Sequence, residues 1–184
     1  MGDYRFSHSV NVAKEAKKLA KHYGADENKA EIAGILHDIT KEMPKEQQLQ
    51  IIIDSGIILD NVQLHAPKLW HGMSGSIVVR DELGIDDEDI LNAIRYHTTG
   101  RAGMSLLEKV IFTADFTSEE RTYSGVATMR KKSKKNMKVI VDTPKKLNEK
   151  QKDLLRQFAA ECGEEVHEKK SSFGKKIENL FKKK

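Results

Sequence analysis

The stretch GILHDITKE, residues 34–42, places two polar groups directly after an apolar run. Residues 34–36 fit the buried face of a helix, and His37 and Asp38 follow them together. An imidazole beside a carboxylate at the edge of a core is either a solvated helix end or half of a metal site, since both groups are ligands of divalent metals. Other polar residues on apolar helix faces bear on this choice.

Residues 1–129 have the pattern of successive helices. Apolar side chains recur at helical spacing, Gly24 and Gly84 are stop signals, and Ser105 with Glu108 forms a capping box. The stretch 55–70 has an irregular pattern, and the region shows neither alternating strand pairs nor an Asn-Gly hairpin. The predicted helices cover residues 6–23, 27–37, 45–54, 71–83, 86–97 and 105–116, with Asp26 and Asp86 opening the second and fifth.

The charge of the chain is divided unevenly. Residues 1–129 carry 14 Lys and Arg against 20 Asp and Glu, a net charge of −6, whereas residues 130–184 carry 18 against 8, a net charge of +10. The acidic part is a poor surface for long nucleic acid. The basic part could touch RNA or a membrane, but a lysine-rich end is more often a solvated one.

Other features of the composition limit the class of protein. No apolar run approaches the ~20 residues that span a bilayer, and the N-terminal residues contain no apolar signal segment. The single cysteine, Cys162, excludes an internal disulfide and a cysteine-rich zinc site. We therefore expect a cytoplasmic protein that binds neither membranes nor long nucleic acid.

Five predicted helices each carry a histidine or an aspartate on their apolar side. One such histidine alone would be interpreted as a core histidine with a hydrogen-bond partner. An unpaired carboxylate on a core face costs several kcal/mol, so it needs a partner, a proton or a metal. One shared cause is therefore more economical than five coincidences, and the residues concerned are His8, His37, His71, His97 and Asp115.

The order of these residues, with Asp38 after His37, resembles the H…HD…D signature of the HD phosphohydrolase superfamily. Three segments are similar to its YqeK-type subfamily, the bacterial symmetrical bis(5′-nucleosyl)-tetraphosphatases: HSVNVAKEAKKLAKHYGADENKAEIAGILHD, NAIRYHTTGRAGMSLLEKVIFTAD and the following R…GV…MR. The likeness runs from about residue 5 to residue 135, and RYHTTGR together with LHD at this spacing makes it specific.

This resemblance implies an all-α HD-domain helical bundle with two divalent metal ions, iron or alternatively manganese or another transition metal. Carried over by position, His8, His37, Asp38 and Asp115 hold one metal. His71 and His97 hold the second, and Asp38 bridges both. Asp38 and His37 are the implied catalytic residues, because two cations roughly 3.5–4 Å apart can activate water and stabilise charge on a phosphate.

The loop after His97 bears on the substrate. Its residues Thr98, Thr99, Gly100 and Arg101 offer hydroxyls, backbone N–H groups and a guanidinium, which suits a polyphosphate. Lys41 could reach a further phosphate, although both cations have an alternative interpretation as solvated side chains. The resemblance implies central hydrolysis of diadenosine tetraphosphate to two ADP. The resemblance is also compatible with a homodimer.

The C-terminal residues depart from this family. Residues 138–184 resemble the extreme C-terminus of DnaJ-type cochaperones, so we expect a fusion with domains 1–137 and 138–184. The appended segment is predicted to contain a short strand at 138–142, a helix beginning after Asn148 and a last short helix. It lacks the J-domain HPD and the CxxCxGxG repeats, so cochaperone activity is not expected.

Three functions remain open from the sequence. The first is a metal-dependent hydrolase of dinucleoside polyphosphates. The second is an HD phosphohydrolase acting on another nucleotide or phosphate ester, and the third is an inactive module that senses nucleotides or binds a partner. Symmetrical cleavage to two ADP separates the first from the second. Metal content and turnover separate both from the third.

Overall fold

The computed structural model describes residues 2–135, 148–150, 152 and 153. These residues form helices and turns without a strand, which confirms the all-α prediction for the described part of the chain. The helices are α1 (Asp3–Tyr23), α2 (Glu27–Leu36), α3 (Lys45–Asp54), α4 (Asn61–Leu64), α5 (Trp70–Asp81), α6 (Glu88–Tyr96), α7 (Leu106–Thr117) and α8 (Val126–Ser133), with a 3₁₀ turn at Pro67–Leu69.

Short polar side chains fix where several helices begin. The Asp26 side chain accepts hydrogen bonds from two backbone N–H groups in the first turn of α2, and Ser105 with Glu108 forms the predicted capping box at α7. For α6 the prediction was wrong by one residue, because Asp87 and not Asp86 caps the helix. These caps satisfy N–H groups that have no partner within the helix.

Two helices were not predicted. The stretch expected to be irregular contains α4, which begins with a capping box formed by Asp60 and Gln63. The basic segment near residue 130 contains α8, which buries only Val126 and Ser133. With so few buried positions, α8 has no apolar stripe that a periodicity argument could detect.

The main core lies between α1, α2, α5, α6 and α7. α1 packs against α2 and α7, and α6 packs against α2, α5 and α7. Valine, leucine, isoleucine and alanine side chains of these five helices form one buried cluster. A second cluster joins Ile52 of α3 to Trp70, Met73 and Ile77 of α5. The N-terminal part of α1, the ends of α2 and α6, the start of α5 and the last turns of α7 meet beside the main core.

Two glycines allow helices to approach closely. A Cβ atom at Gly34 would lie 2.6 Å from the Cα atom of Ala13, so α2 contacts the backbone of α1 there. A Cβ atom at Gly72 would lie 2.7 Å from the carbonyl oxygen of Arg95, which brings α5 against α6. Real Cβ atoms essentially never lie within 3.0 Å of such atoms, so a side chain does not fit at either position unless the helices move apart. Gly34 lies three residues before His37, and Gly72 directly follows His71. The two close contacts between helices therefore bring these histidines towards the same region.

The loop after α7 is held by Arg130 of α8. The guanidinium of Arg130 donates hydrogen bonds to the carbonyl oxygens of Thr117, Ser118, Glu119 and Arg121. The hydroxyl of Tyr23, at the end of α1, donates to the carbonyl oxygen of Ser133 at the other end of α8. α8 therefore ties the end of α7 to α1 through polar contacts, although it contributes little to the core.

The C-terminal segment is described only in part. The chain divides into two units, Met1–Thr143 and Pro144–Lys184. The predicted strand at 138–142 and the last predicted helix lie outside the described residues. Residues 149, 150, 152 and 153 are helical, and the rest of the helix predicted after Asn148 lies outside the described residues. None of the described helices has the length and apolarity that a membrane span needs.

The glycine contacts predict different results for the same substitution at two positions. Gly34→Ala should lower the free energy of unfolding by about 1–3 kcal/mol, because the new methyl group overlaps the backbone of α1. Gly75→Ala is the matched control, since its Cβ would make ordinary contacts of 3.5–3.6 Å with Ile39, Thr40 and Ile94. It should be neutral or stabilise by up to about 1 kcal/mol through helix propensity. Urea denaturation measures both, and equal destabilisation would contradict the proposed close approach.

Candidate metal centre

All six residues expected as metal ligands meet at one place in the helical bundle. The side chains of His8, His37, Asp38, His71 and His97 are buried, whereas the Asp115 side chain keeps 17% of its surface exposed. The Nε2 atoms of His8 and His37 are 3.3 Å apart, and those of His71 and His97 are 3.1 Å apart. The five expected helices thus contribute to a single polar centre.

Three of the four imidazoles are oriented by the same local contact. The Nδ1 atoms of His37, His71 and His97 lie 2.7–2.8 Å from the backbone carbonyl oxygens of Gly34, Lys68 and Ile94, each three residues earlier. A carbonyl oxygen only accepts hydrogen bonds, so Nδ1 must carry the proton in each ring. The Nε2 lone pair of each neutral ring then faces the centre, where a metal can use it.

Burial favours these neutral imidazoles. Desolvation lowers the pKa of His37, which is fully buried. The pKa of His71 falls to about 3, because desolvation disfavours its charged form and the neighbouring His97 and Lys41 add to that effect. Both rings are therefore unprotonated at neutral pH.

His8 is oriented by a distant carboxylate. Its Nδ1 contacts an Oε1 atom of Glu120, which lies in the loop after α7. Glu120 itself accepts hydrogen bonds from the side chains of Asn11 and Ser118. Burial disfavours a charged His8, but the hydrogen bonds to Asp115 and Glu120 outweigh burial and raise the pKa of His8. The sequence did not predict Glu120 as part of this centre, because its loop has no periodic pattern.

Asp38 lies between two pairs of imidazoles. Its Oδ2 atom is 3.8 Å from Nε2 of His8 and 3.5 Å from Nε2 of His37. Its Oδ1 atom is 3.3 Å from Nε2 of His71 and 3.4 Å from Nε2 of His97. The two oxygens of this one carboxylate therefore face different pairs of ring nitrogens.

The donor set fits divalent metal ions. In the part of the chain that the structure describes, three groups of residues have ligand atoms within 4.8 Å of one another: His8, His37 and Asp38; His37, His97 and Asp115; and Asp38, His71 and His97. The Oδ1 atom of Asp38 is buried and makes no hydrogen bond among the described residues. A carboxylate oxygen facing two ring lone pairs is stabilised by a nearby cation. Nζ of Lys41 lies 3.7 Å from this oxygen, and a metal ion held by the oxygen and both rings would stabilise it further. Imidazole and carboxylate ligands suit iron, manganese or zinc.

Three cationic side chains border this centre. NH1 of Arg5 is 2.6 Å from Oδ2 of Asp38, and Nζ of Lys41 is 2.9 Å from Nε2 of His71. The guanidinium of Arg121 donates to Asp115. Burial raises the pKa of Asp115, but its hydrogen bond with His8 and nearby positive charges outweigh burial and hold that pKa below its usual value. Arg5 lies three residues before His8, so helical spacing could have identified it from the sequence.

The loop predicted to bind substrate divides into two parts. The Thr98 hydroxyl lies 3.0 Å from Nε2 of His97 and 3.3 Å from Nε2 of His71, so it borders the centre with Lys41. Thr99 is exposed, and Gly100 is buried with a positive φ of 62°. Arg101 instead donates two hydrogen bonds to Glu108, at 2.6 and 3.2 Å. Its guanidinium also lies 4.6 Å from the ring centroid of Tyr96.

Known proteins similar to the C-terminal segment are DnaJ chaperones. The model of the chaperone protein DnaJ C-terminal region matches residues 150–183. A chaperone protein DnaJ of Clostridioides difficile is 69% identical over 48 residues, which are 26% of this chain and 12% of that protein. The resemblance of this segment to the end of DnaJ is therefore confirmed.

Known proteins similar to the N-terminal part are HD hydrolases. A symmetrical bis(5′-nucleosyl)-tetraphosphatase of Bacillus subtilis is 48% identical over 132 residues, which cover 70% of this chain and 69% of that protein. A crystal structure from Clostridium acetobutylicum, described as a predicted HD superfamily hydrolase involved in NAD metabolism, has a TM-score of 0.73 and 36% identity. It covers 91% of this chain and 85% of that one. The HD domain model matches residues 5–120, and the chain belongs to the HD domain family.

Proposed function

We propose that this protein hydrolyses diadenosine tetraphosphate symmetrically, to two molecules of ADP, with the help of divalent metal ions. The observation that carries the proposal is the position of Asp38, whose two oxygens face two separate pairs of imidazoles. This arrangement supports two metal sites that share one carboxylate. The 48% identity to a symmetrical bis(5′-nucleosyl)-tetraphosphatase supports the reaction and the substrate.

The proposed ligands follow the two sides of Asp38. With Asp38, His8, His37 and Asp115 would hold one metal, and His71 and His97 would hold the second. Iron is the proposed metal for both sites, with manganese or another transition metal as the alternative. Bound there, such ions lower the pKa of water and stabilise negative charge on phosphate oxygens.

The chain's own residues orient the reactants. Asp38 and His37 are the proposed catalytic residues, because they lie where the two pairs of imidazoles meet. The ammonium of Lys41 and the hydroxyl of Thr98 both border His71 and can bind phosphate oxygens. Burial lowers the pKa of Lys41, so its proton is more easily shared with an anionic oxygen than that of a solvated lysine.

Arg101 has a role in the fold besides its proposed role in binding substrate. Its bidentate pair with the buried Glu108 links the loop to the first turn of α7, where Glu108 also accepts a hydrogen bond from the backbone N–H of Ser105. The Arg101 side chain is 39% exposed, so part of it faces solvent. We propose that this part binds a phosphate together with the backbone of Thr99. The N–H of the buried Gly100 already donates to the carbonyl oxygen of Tyr96, so the proposed role of Gly100 is to shape the loop.

The remaining parts of the proposal concern location and assembly. A dinucleoside polyphosphate is the proposed partner, and neither long nucleic acid nor a membrane is expected to bind. We propose a cytoplasmic location, a catalytic domain that ends near residue 137, and no role in catalysis for residues 138–184. A homodimer is compatible with this proposal.

The purified protein should convert diadenosine tetraphosphate to ADP without AMP or ATP, as chromatography of the products will measure. Elemental analysis should find about two transition-metal ions per chain. Asp38→Ala should lose most of the metal and reduce turnover to background, because the substituted carboxylate faces both pairs of imidazoles. Asp54→Ala, which removes an exposed carboxylate at the end of α3, is the control for a general effect of lost charge.

Three results would contradict the proposal. AMP and ATP as products would indicate asymmetrical cleavage and favour another phosphohydrolase. Full turnover by a metal-free Asp38→Ala protein would exclude the metal centre. Absence of any turnover by metal-loaded protein would favour a module that only binds nucleotides.

Glu120 is predicted to strengthen metal binding by orienting His8. Glu120→Gln keeps the shape of the side chain but removes its charge, so metal affinity measured by competition with a chelator should fall by about 10–100-fold. The neighbouring Glu119→Gln is the matched control, because Glu119 is exposed and contacts Arg130 only through its backbone. Unchanged affinity in Glu120→Gln would show that His8 does not need this carboxylate.

Arg101 and Glu108 are predicted to separate stability from substrate binding. Arg101→Ala and Glu108→Gln both break the pair, so each should lower the free energy of unfolding by about 1–2 kcal/mol. Only Arg101→Ala should also lower kcat/KM by ten-fold or more, since it alone removes the cation proposed to bind phosphate. Thermal denaturation and steady-state kinetics check this. Equal losses of kcat/KM in both variants would restrict Arg101 to the fold.

A further inference from the structure

A cavity of about 320 Å³ opens next to Asp38 on the surface of the bundle. It lies between the N-terminal turn of α1 and the segment that leads from Asp38 into α3. Arg5 and Asp38 are part of its wall, and Glu42 and Gln47 supply further polar groups. The apolar part of the wall consists of Ile39, Met43 and Pro44. The cavity therefore combines an apolar surface with polar groups and adjoins the metal centre.

Arg5 has capacity to bind a further anion in this cavity. Among the described residues its guanidinium makes one hydrogen bond, from NH1 to Asp38 at 2.6 Å. Its Nε atom is buried and makes none. An arginine has five N–H donors arranged for planar, bidentate binding of phosphate. The Arg5 side chain is 20% exposed, so its remaining N–H donors are available to a ligand that brings oxygen atoms to the cavity.

We propose that this cavity is the subsite for one nucleoside of the substrate, with Arg5 binding the phosphate next to that nucleoside. The inference deepens the proposed function and rests on it. Cavities that enclose small ligands measure about 300–1,000 Å³, so this one is at the small end of the range. It can enclose one nucleoside but not a dinucleoside polyphosphate. The second half of the substrate must then extend to the other side of the centre.

The wall offers a suitable group for each part of a nucleotide. Arg5 lies beside Asp38, where a phosphate enters from the metal centre. Met43 and Pro44 offer apolar surface to the faces of a purine. Glu42 is an exposed carboxylate in the wall whose Oε2 accepts a hydrogen bond from the backbone N–H of Gly2. Its other oxygen can accept a hydrogen bond from a ribose hydroxyl, and its charge would repel a phosphate. Arg5 and Glu42, with opposite charges, therefore favour different parts of a nucleotide.

Gln47 is the proposed base-specificity residue of this subsite. Its backbone N–H bonds to the carbonyl oxygen of Pro44, while its side chain lines the cavity. A glutamine amide has a donor and an acceptor side by side, which matches the N6 and N7 atoms of adenine. A glutamate at this position has acceptors only and would instead match the two donors on the Watson–Crick edge of guanine.

The proposal can be tested by substitutions of Gln47 that fill the cavity or add a charge to its wall, since Gln47 is not a proposed metal ligand. Gln47→Trp should raise KM for diadenosine tetraphosphate and weaken inhibition by ADP by ten-fold or more, because the indole occupies the space of the base. Inhibition by inorganic pyrophosphate, which has no base, should stay within two-fold of the wild-type value. Gln47→Glu should increase kcat/KM for diguanosine tetraphosphate relative to diadenosine tetraphosphate by ten-fold or more.

Two controls separate this effect from general disturbance. Gln50→Trp adds the same indole to the same helix, at an exposed position that does not line the cavity, and should leave KM and the inhibition constant for ADP unchanged. Arg5→Ala should weaken inhibition by ADP and by pyrophosphate alike, and Arg5→Lys should restore part of each. If Gln47→Trp does not fold, Met43→Ala supplies the test, since it removes apolar wall and should weaken ADP but not pyrophosphate.

Failure of the proposed subsite and failure of the proposed function would give different results. If Gln47→Trp and Gln50→Trp behave alike towards ADP, the nucleoside binds elsewhere and the subsite is excluded, even where symmetrical cleavage is observed. If the metal-loaded wild-type protein makes no ADP, the proposed function fails. Calorimetric titration of ADP into wild-type and Gln47→Trp proteins then still decides whether the cavity binds a nucleotide.

Discussion

The hydrogen bond from a ring Nδ1–H to the backbone carbonyl three residues earlier is the contact on which the centre depends. His37, His71 and His97 each make it, so three rings have a fixed tautomer and point Nε2 towards one place. The bond needs only a helical turn beside the histidine, which the helix ends and starts supply. The bundle then has to bring three helix termini together, and the contact between Gly34 and α1 is part of how it does so.

The fourth ring requires a different solution, because His8 lies inside α1 and cannot use a helix end. Its Nδ1 contacts Glu120, and the loop that carries Glu120 is held by the four carbonyl contacts of Arg130. α8 thus contributes to the centre although it buries only two side chains. Arg5, Lys41 and Arg121 balance part of the negative charge that the carboxylates bring into the bundle.

The sequence was informative where a residue follows a local rule. Apolar spacing predicted the six longer helices, and the polar residues on their apolar faces are the ones that meet at the centre. Asp38 was identified because it follows a buried helix directly. Glu120 and α8 escaped prediction, because Glu120 acts from a loop without periodicity and α8 is held by arginine–carbonyl contacts. The pairing of Arg101 with Glu108 was also missed, since the capping role of Glu108 gave no sign of a second partner.

The separation between His8 and Glu120 in the sequence, 112 residues, has a consequence for how the protein is made. The three helix-terminal imidazoles acquire their orientation as soon as their own turns form, on the time scale of helix formation. The ring of His8 acquires its orientation only after nearly the whole domain has been synthesised and the chain has closed on itself, which is the slow, non-local part of folding. A nascent chain that has not yet exposed residue 120 therefore carries an incomplete set of oriented rings. All four rings can therefore be oriented only after the chain has been synthesised beyond residue 120.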